Sequence, residues 1–260
     1  PSLVQEAEEK EIEDLIKGMI VQSGNDACVA LAEAIAGSEE TFAQMMNQQA
    51  QKLGMKATSF KNAAGMPDPE HYTTARDLAT LTRALIHDFP EDYAKYYSIK
   101  EFRYNNITQP NRNRLLWLDP TVDGMKTGFT DAAGYCLISS AKRGPRRLLS
   151  GVLGAKSDAV RAQESLKLLN FGFQAYDAVQ LYAKNDAVST LKVWKGKEKT
   201  LKAGFTEDFV MVVPKGFGER IKSELEAQPP LIAPVTQGQV VGKMKVSLDG
   251  KPHGEFPVVA

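Results

Sequence analysis

The chain has 260 residues, 43% of them hydrophobic, and its 32 basic side chains are matched by 32 acidic ones. That length and composition suit one or two soluble domains with cores of their own, and the zero net charge argues against nucleic acid or an anionic surface as a charge-steered partner. No apolar run nears the roughly 20 residues of a membrane span, Pro1-Ser2-Leu3 does not open a signal peptide, and Cys28 and Cys136 have no metal-ligand spacing and read as small buried side chains.

From Glu11 to Gln22 the apolar residues Ile12, Leu15, Ile16, Met19 and Ile20 form the stripe of a helix with one buried face. A second helix is predicted from Asp26 to Ala36 with Gly37 as its stop, which leaves Ser23, Gly24 and Asn25 in the tight connection between the two. Ser38 reads as the N-cap of a helix that carries Phe42, Met45, Met46 and Leu53, has Glu39 and Glu40 in its first turn, and stops at Gly54. Thr74, with Asp77 three residues on, opens another through Leu78, Leu81, Leu85 and Ile86 that ends before Pro90.

After Tyr97 the pattern changes to short runs bounded by Gly, Pro, Asn or Asp: Ile99 to Ile107, Val122 to Thr130, Tyr135 to Ala141 and Arg147 to Leu153 read as strands. The short connections among the last three predict consecutive antiparallel hairpins. Asp158 is expected to cap a helix through Leu166, Leu169 and Phe173. Beyond Tyr176 only strands are expected, among them Val188 to Trp194, Phe209 to Val213 and Val240 to Leu248. The sum is an α+β chain: residues 1–175 form a helix-rich domain around an antiparallel sheet, and residues 176–260 a small all-β, sandwich-like domain.

Chemistry concentrates in two triplets, Ser23-Gly24-Asn25 and Lys126-Thr127-Gly128. On an ideal strand Lys126 and Gly128 share one face and Thr127 takes the other, so both side chains reach one cleft only where the sheet edge twists. Taken alone, the second triplet reads equally as an exposed strand end, Ser23 as a helix cap and Asn25 as a turn residue. His71, His87 and His253 lie far apart without a triad pattern, and no Gly-x-Ser-x-Gly elbow occurs. Metal and dinucleotide motifs are missing too.

The two triplets, together with Ile20 to Ala30, Asn111 to Trp117, Val122 to Met125, Ala133-Gly134-Tyr135 and Val152 to Lys156, resemble the low-molecular-mass penicillin-binding proteins that act as serine D-alanyl-D-alanine carboxypeptidases. The likeness runs from Glu11 to the C-terminus. It implies a β-lactamase/transpeptidase-like domain followed by the family's small β domain, and an acyl-enzyme route that removes the terminal D-alanine of a peptidoglycan pentapeptide, with β-lactams as covalent inhibitors and no cofactor or metal. By the same resemblance Ser23 relays a proton to the leaving D-alanine, the Asn25 amide hydrogen-bonds the side chain of the peptide or β-lactam, and Lys126 keeps the cleft electropositive. Thr127 binds the terminal carboxylate, Gly128 permits backbone approach, and Arg161 and Arg112 add basic contacts, though each arginine could equally serve a surface ion pair. Phe129 stands where several members carry a polar residue, so substrate preference or rate is expected to differ.

The family's nucleophile motif, Ser-x-x-Lys at a helix start, is not found before Ser23. The strings Ser139 to Lys142 and Ser189 to Lys192 have the spacing but fall in strand-like segments after the Lys126 triplet. The expectation is that the nucleophile segment is absent from this sequence, along with the C-terminal amphipathic anchor that would provide the only membrane contact, in a periplasmic setting peripheral to the inner membrane. As given, the chain should bind and not turn over. The rival readings are a non-catalytic peptidoglycan- or partner-binding protein of the same fold, and a β-lactamase.

Overall fold

The computed structural model describes residues 12–227 and 230–260, and the chain divides into two compact units, residues 1–171 and 172–260. Of the first predicted helix, Glu11 lies outside the described residues; α1 covers Ile12–Lys17 and continues as a π-helical turn over Gly18–Gln22. α2 (Asn25–Ala36) ends at left-handed Gly37, φ +78°, whose N–H bonds the Glu33 carbonyl. α3 (Glu39–Lys52) is capped by Ser38, whose hydroxyl accepts from the Thr41 N–H at 3.1 Å. α4 (Ala75–Asp88) is capped in the same way by Thr74, accepting from Asp77. The Asp77 carboxylate, buried, accepts in turn from the Ala57 N–H and the Thr58 hydroxyl, which ties the long loop after α3 to α4.

Three local expectations need correction. Ile99 to Ile107 is not one strand: β1 (Glu101–Tyr104) and β2 (Ile107–Pro110) form a hairpin, with Asn105 and Asn106 both at positive φ in its turn. Asparagine tolerates that left-handed conformation better than most residues, and two in succession fit a tight reversal. Asp158 is the first residue of α7 (Asp158–Ala175) and not its cap; the hydroxyl of Ser157 accepts from the Val160 N–H at 3.2 Å. Two short helices were not anticipated: α5 (Pro90–Tyr96), where Pro90 starts a helix instead of only ending one, and α6 (Leu115–Leu118).

β3 (Val122–Thr130), β4 (Gly134–Arg143) and β5 (Arg146–Ala155) make the antiparallel meander that the sequence predicts. One face of it packs Met125 and Ile138 against Leu78, Leu85 and Ile86 of α4, Tyr93 of α5 and Tyr97 just after it. In the second unit, β6 (Tyr176–Tyr182) pairs with β9 (Phe209–Pro214). The other six strands are β7 (Ala187–Trp194), β8 (Thr200–Gly204), β10 (Ile221–Ala227), β11 (Leu231–Ile232), β12 (Val240–Leu248) and β13 (Lys251–Val259). They form one sheet in the order β10-β12-β13-β8-β7-β11. Val213 and Met211 of β9 meet Val241, Met244 and Val258 of the larger sheet in one core, so the unit is a small sandwich.

Candidate active site

The end of the first helix shapes the Ser23 triplet. Its π-helical turn closes with Ser23 in the left-handed region, φ +58°, and the Ser23 and Gly24 N–H groups both return to the Gly18 carbonyl. A non-glycine residue held there stores of order 1 kcal/mol of strain, a cost that recurs where side-chain aim matters. The reversal starts α2 at Asn25, one residue earlier than expected, and leaves the Ser23 side chain free of any capping role.

Across from it, β3 delivers Lys126. The ammonium donates to the Ser23 hydroxyl, 103 positions away in the chain, and to the carbonyl of its own neighbour Thr127 at 2.9 Å. Thr127 is buried at 8% exposure, while Gly128 is open. The strand is held in register at this point: Lys126 faces Ile138, Thr127 faces Leu137 and Gly128 faces Cys136 on β4.

A second layer fixes the strand just upstream. Buried Tyr93 donates its hydroxyl to Asp123 at 2.9 Å, and Arg147 bonds the same carboxylate at 2.7 Å and the Ser140 hydroxyl at 2.5 Å. Burial pushes the Tyr93 phenol well above its ordinary range, so it stays a donor. Gly124 lies under this hydroxyl, with no room for a Cβ.

The two arginines come to the same end of the sheet by different means. Arg161, 5% exposed on the first turns of α7, pairs with Asp158 at 2.5 Å and donates to the carbonyls of Gly128, Cys136 and Arg112. It is therefore neither a surface ion pair nor a free contact: its guanidinium braces the backbone of the Lys126 triplet. Arg112 is exposed, with Nε donating to the Gln22 carbonyl at 3.0 Å beside Ser23. Burial first, then the positive charges of Arg112 and Arg161, lower the Lys126 pKa to about 8.

Asn25 donates from its side-chain amide to the Met66 thioether at 3.4 Å, a weak acceptor. Met66 comes from the loop after α3 and carried no periodic or motif signal in the sequence. Cys28, on the second turn of α2, is close enough to Lys126 for their charges to interact; burial raises its thiol, and the ammonium opposes that shift. Cys28 and Cys136 are both free and half-buried, not buried as composition suggested. Neither Ser-x-x-Lys string joins the site. Ser139 is wholly buried and bonded to Ser150 at 2.7 Å, and Ser189 lies on β7.

Residues 2–157 match the family model described as D-alanyl-D-alanine carboxypeptidase, and residues 176–260 the one described as the C-terminal domain of penicillin-binding protein 5. D-alanyl-D-alanine carboxypeptidase DacC of Escherichia coli is 46% identical over 250 residues, which is 95% of this chain and 62% of that protein. DacD of the same organism is 42% identical over 98% of this chain and 66% of that protein. The chain thus spans just under two thirds of the length of these relatives. The solved structure of penicillin binding protein 5 from Haemophilus influenzae superposes with a TM-score of 0.92 at 39% identity, covering 99% of this chain and 76% of that one.

Proposed function

Because this chain belongs to the D-alanyl-D-alanine carboxypeptidase family, we propose that its cleft binds the terminal D-alanyl-D-alanine of a peptidoglycan stem peptide, and β-lactams as mimics of it. The observation that carries this reading is the Lys126 ammonium, bonded to the Ser23 hydroxyl and flanked by the charges of Arg112 and Arg161. The Lys126 ammonium, the exposed Arg112 and the Ser23 hydroxyl, met along the edge strand β3, make a receptor for a carboxylate, while Arg161, held by Asp158, contributes only its field.

Lys126 supplies the charge, Thr127 the hydroxyl next along the strand, and Gly128 an open backbone. Asn25 exchanges Met66 for the ligand's amide. In the full reaction a serine oxygen attacks the penultimate D-alanine carbonyl, backbone N–H groups hold the oxyanion, and D-alanine leaves with a proton passed through the Ser23 hydroxyl. Water then hydrolyses the acyl-enzyme. A lysine that titrates at about 8 suits that relay, since its proton is neither locked on nor lost near neutral pH. We place the catalytic part in residues 1–175, the β domain in 176–260, and the protein in the periplasm.

Buried Ser139 and strand-borne Ser189 favour a second reading for these 260 residues by themselves, namely binding without turnover. Intact mass before and after incubation with benzylpenicillin, with reversible binding followed by NMR, tests both. We expect reversible binding and no adduct with this chain, and one penicillin per molecule in a protein that also carries a helix-borne Ser-x-x-Lys. Steady hydrolysis of a chromogenic β-lactam would make it a β-lactamase. No binding by either form would reject the carboxylate receptor.

A further inference from the structure

Although the whole chain is neutral, residues 192–202 hold five lysines, Lys192, Lys195, Lys197, Lys199 and Lys202, against the single acid Glu198. They belong to the β7–β8 hairpin of the second unit, and all five are exposed. Strand alternation sends Leu191 and Val193 into the core and leaves Lys192 and Trp194 pointing out. Trp194 is 63% exposed, and its partner on β11, Ile232, is 51% exposed beside it. On β8, Thr200 pairs with Lys192 and Lys202 with Thr190, so an apolar step of two side chains stands among the ammonium groups.

Elsewhere in the same sheet two lysines are matched, Lys243 with Glu255 and Lys245 with Glu226, each at 3.1 Å, and what sets the hairpin apart is five lysines within eleven residues. None of the five hairpin lysines forms an ion pair with a described residue. Five unpartnered cations within eleven residues repel one another, and an exposed indole beside them loses nothing by leaving water. An anionic bilayer answers both. Its phosphates take the ammonium groups, and its headgroup layer takes the amphipathic indole and the isoleucine.

We propose that the outer face of the β7–β8 hairpin, with Ile232, is a peripheral docking surface for an anionic lipid bilayer. A nucleic acid would neutralise the lysines and leave Ile232 in water, so the apolar pair selects the bilayer. No helix among the described residues is long and apolar enough to cross a membrane. This surface is additional to the C-terminal anchor that the family resemblance implies, and it does not depend on the catalytic reading.

The test is cosedimentation with vesicles of about 30% phosphatidylglycerol in phosphatidylcholine, with Trp194 emission followed in a Trp117→Phe background. We expect binding that largely disappears by about 0.5 M salt, with a blue shift of Trp194. The triple variant Lys195→Glu, Lys197→Glu, Lys199→Glu should lose at least about a hundredfold in partitioning, since each lysine near such a surface contributes roughly fivefold. Trp194→Ala should lose about tenfold and keep the salt dependence. Circular dichroism should be unchanged in both, as every altered side chain is exposed. Absence of binding to these vesicles would overturn the proposal. So would binding that the triple variant retains, or equal binding of an RNA oligonucleotide without the blue shift.

Discussion

Burial beside Arg112 and Arg161 sets the Lys126 ammonium to release its proton at about 8 instead of 10.5. Two consequences of opposite sign follow. Below about 8 the buried cation opposes folding; between about 8 and 10.5 the unfolded chain still holds a proton that the folded one has released, so stability rises with pH through that window. Carboxylate binding runs the other way, because the ligand needs the cation. The affinity of an acetylated D-alanyl-D-alanine peptide should fall by about tenfold from pH 7 to pH 9, measured by NMR titration. Lys126→Gln should bind at least about tenfold more weakly at pH 7 and show a flat profile. A flat profile in the unaltered chain would remove Lys126 from carboxylate recognition.

At the scale of the strand, what aims Lys126 is the ladder to β4 together with the Tyr93, Asp123 and Arg147 cluster just upstream. Gly124 is part of that device, since a Cβ there would collide with the Tyr93 hydroxyl. Gly124→Ala should destabilise the chain by about 1–3 kcal/mol, as overpacking of a filled site does. Tyr93→Phe should cost about 1 kcal/mol for the lost hydrogen bond. In the Tyr93→Phe background the alanine should cost less, because the colliding oxygen is gone; additive losses in denaturant unfolding would place the collision elsewhere. The span of β3 was legible because its turn residues stand at its ends. The β1–β2 turn was not, since Asn105-Asn106 sits inside a run whose neighbours all favour strand, and the reversal depends on backbone conformation and not on hydropathy. α5 and α6 are too short to show a period. At α7, Ser157 and Asp158 are both good caps, and Arg161 takes the Asp158 carboxylate as an ion-pair partner, leaving the cap to Ser157.

On the scale of the molecule, two patterns were readable over long stretches of the sequence: capped helical periodicity in the residues before Pro90, and short strand-like runs split by Gly, Pro and Lys clusters from Tyr176 onward. The site was readable only as a family likeness, because Ser23 and Lys126 meet across 103 positions that no spacing rule connects. Met66 and Cys28 had no signal at all; the loop after α3 and the second turn of α2 bring them in. The two units also close separate cores, and this makes a last prediction possible. Met244 is 2% exposed among Met211, Val213, Val241 and Val258 in residues 172–260. Met244→Ala should cost about 2–5 kcal/mol through lost burial and the cavity left behind. The groups that set the Lys126 titration, Arg112, Arg161 and Cys28, all lie in residues 1–171. Calorimetry should therefore show a lower unfolding temperature for the variant's β unit, while proton release by Lys126 stays at about 8. If the Lys126 titration moves with the β core, the charge at the cleft depends on the second unit, and the carboxylate site could not be assigned to the first unit alone.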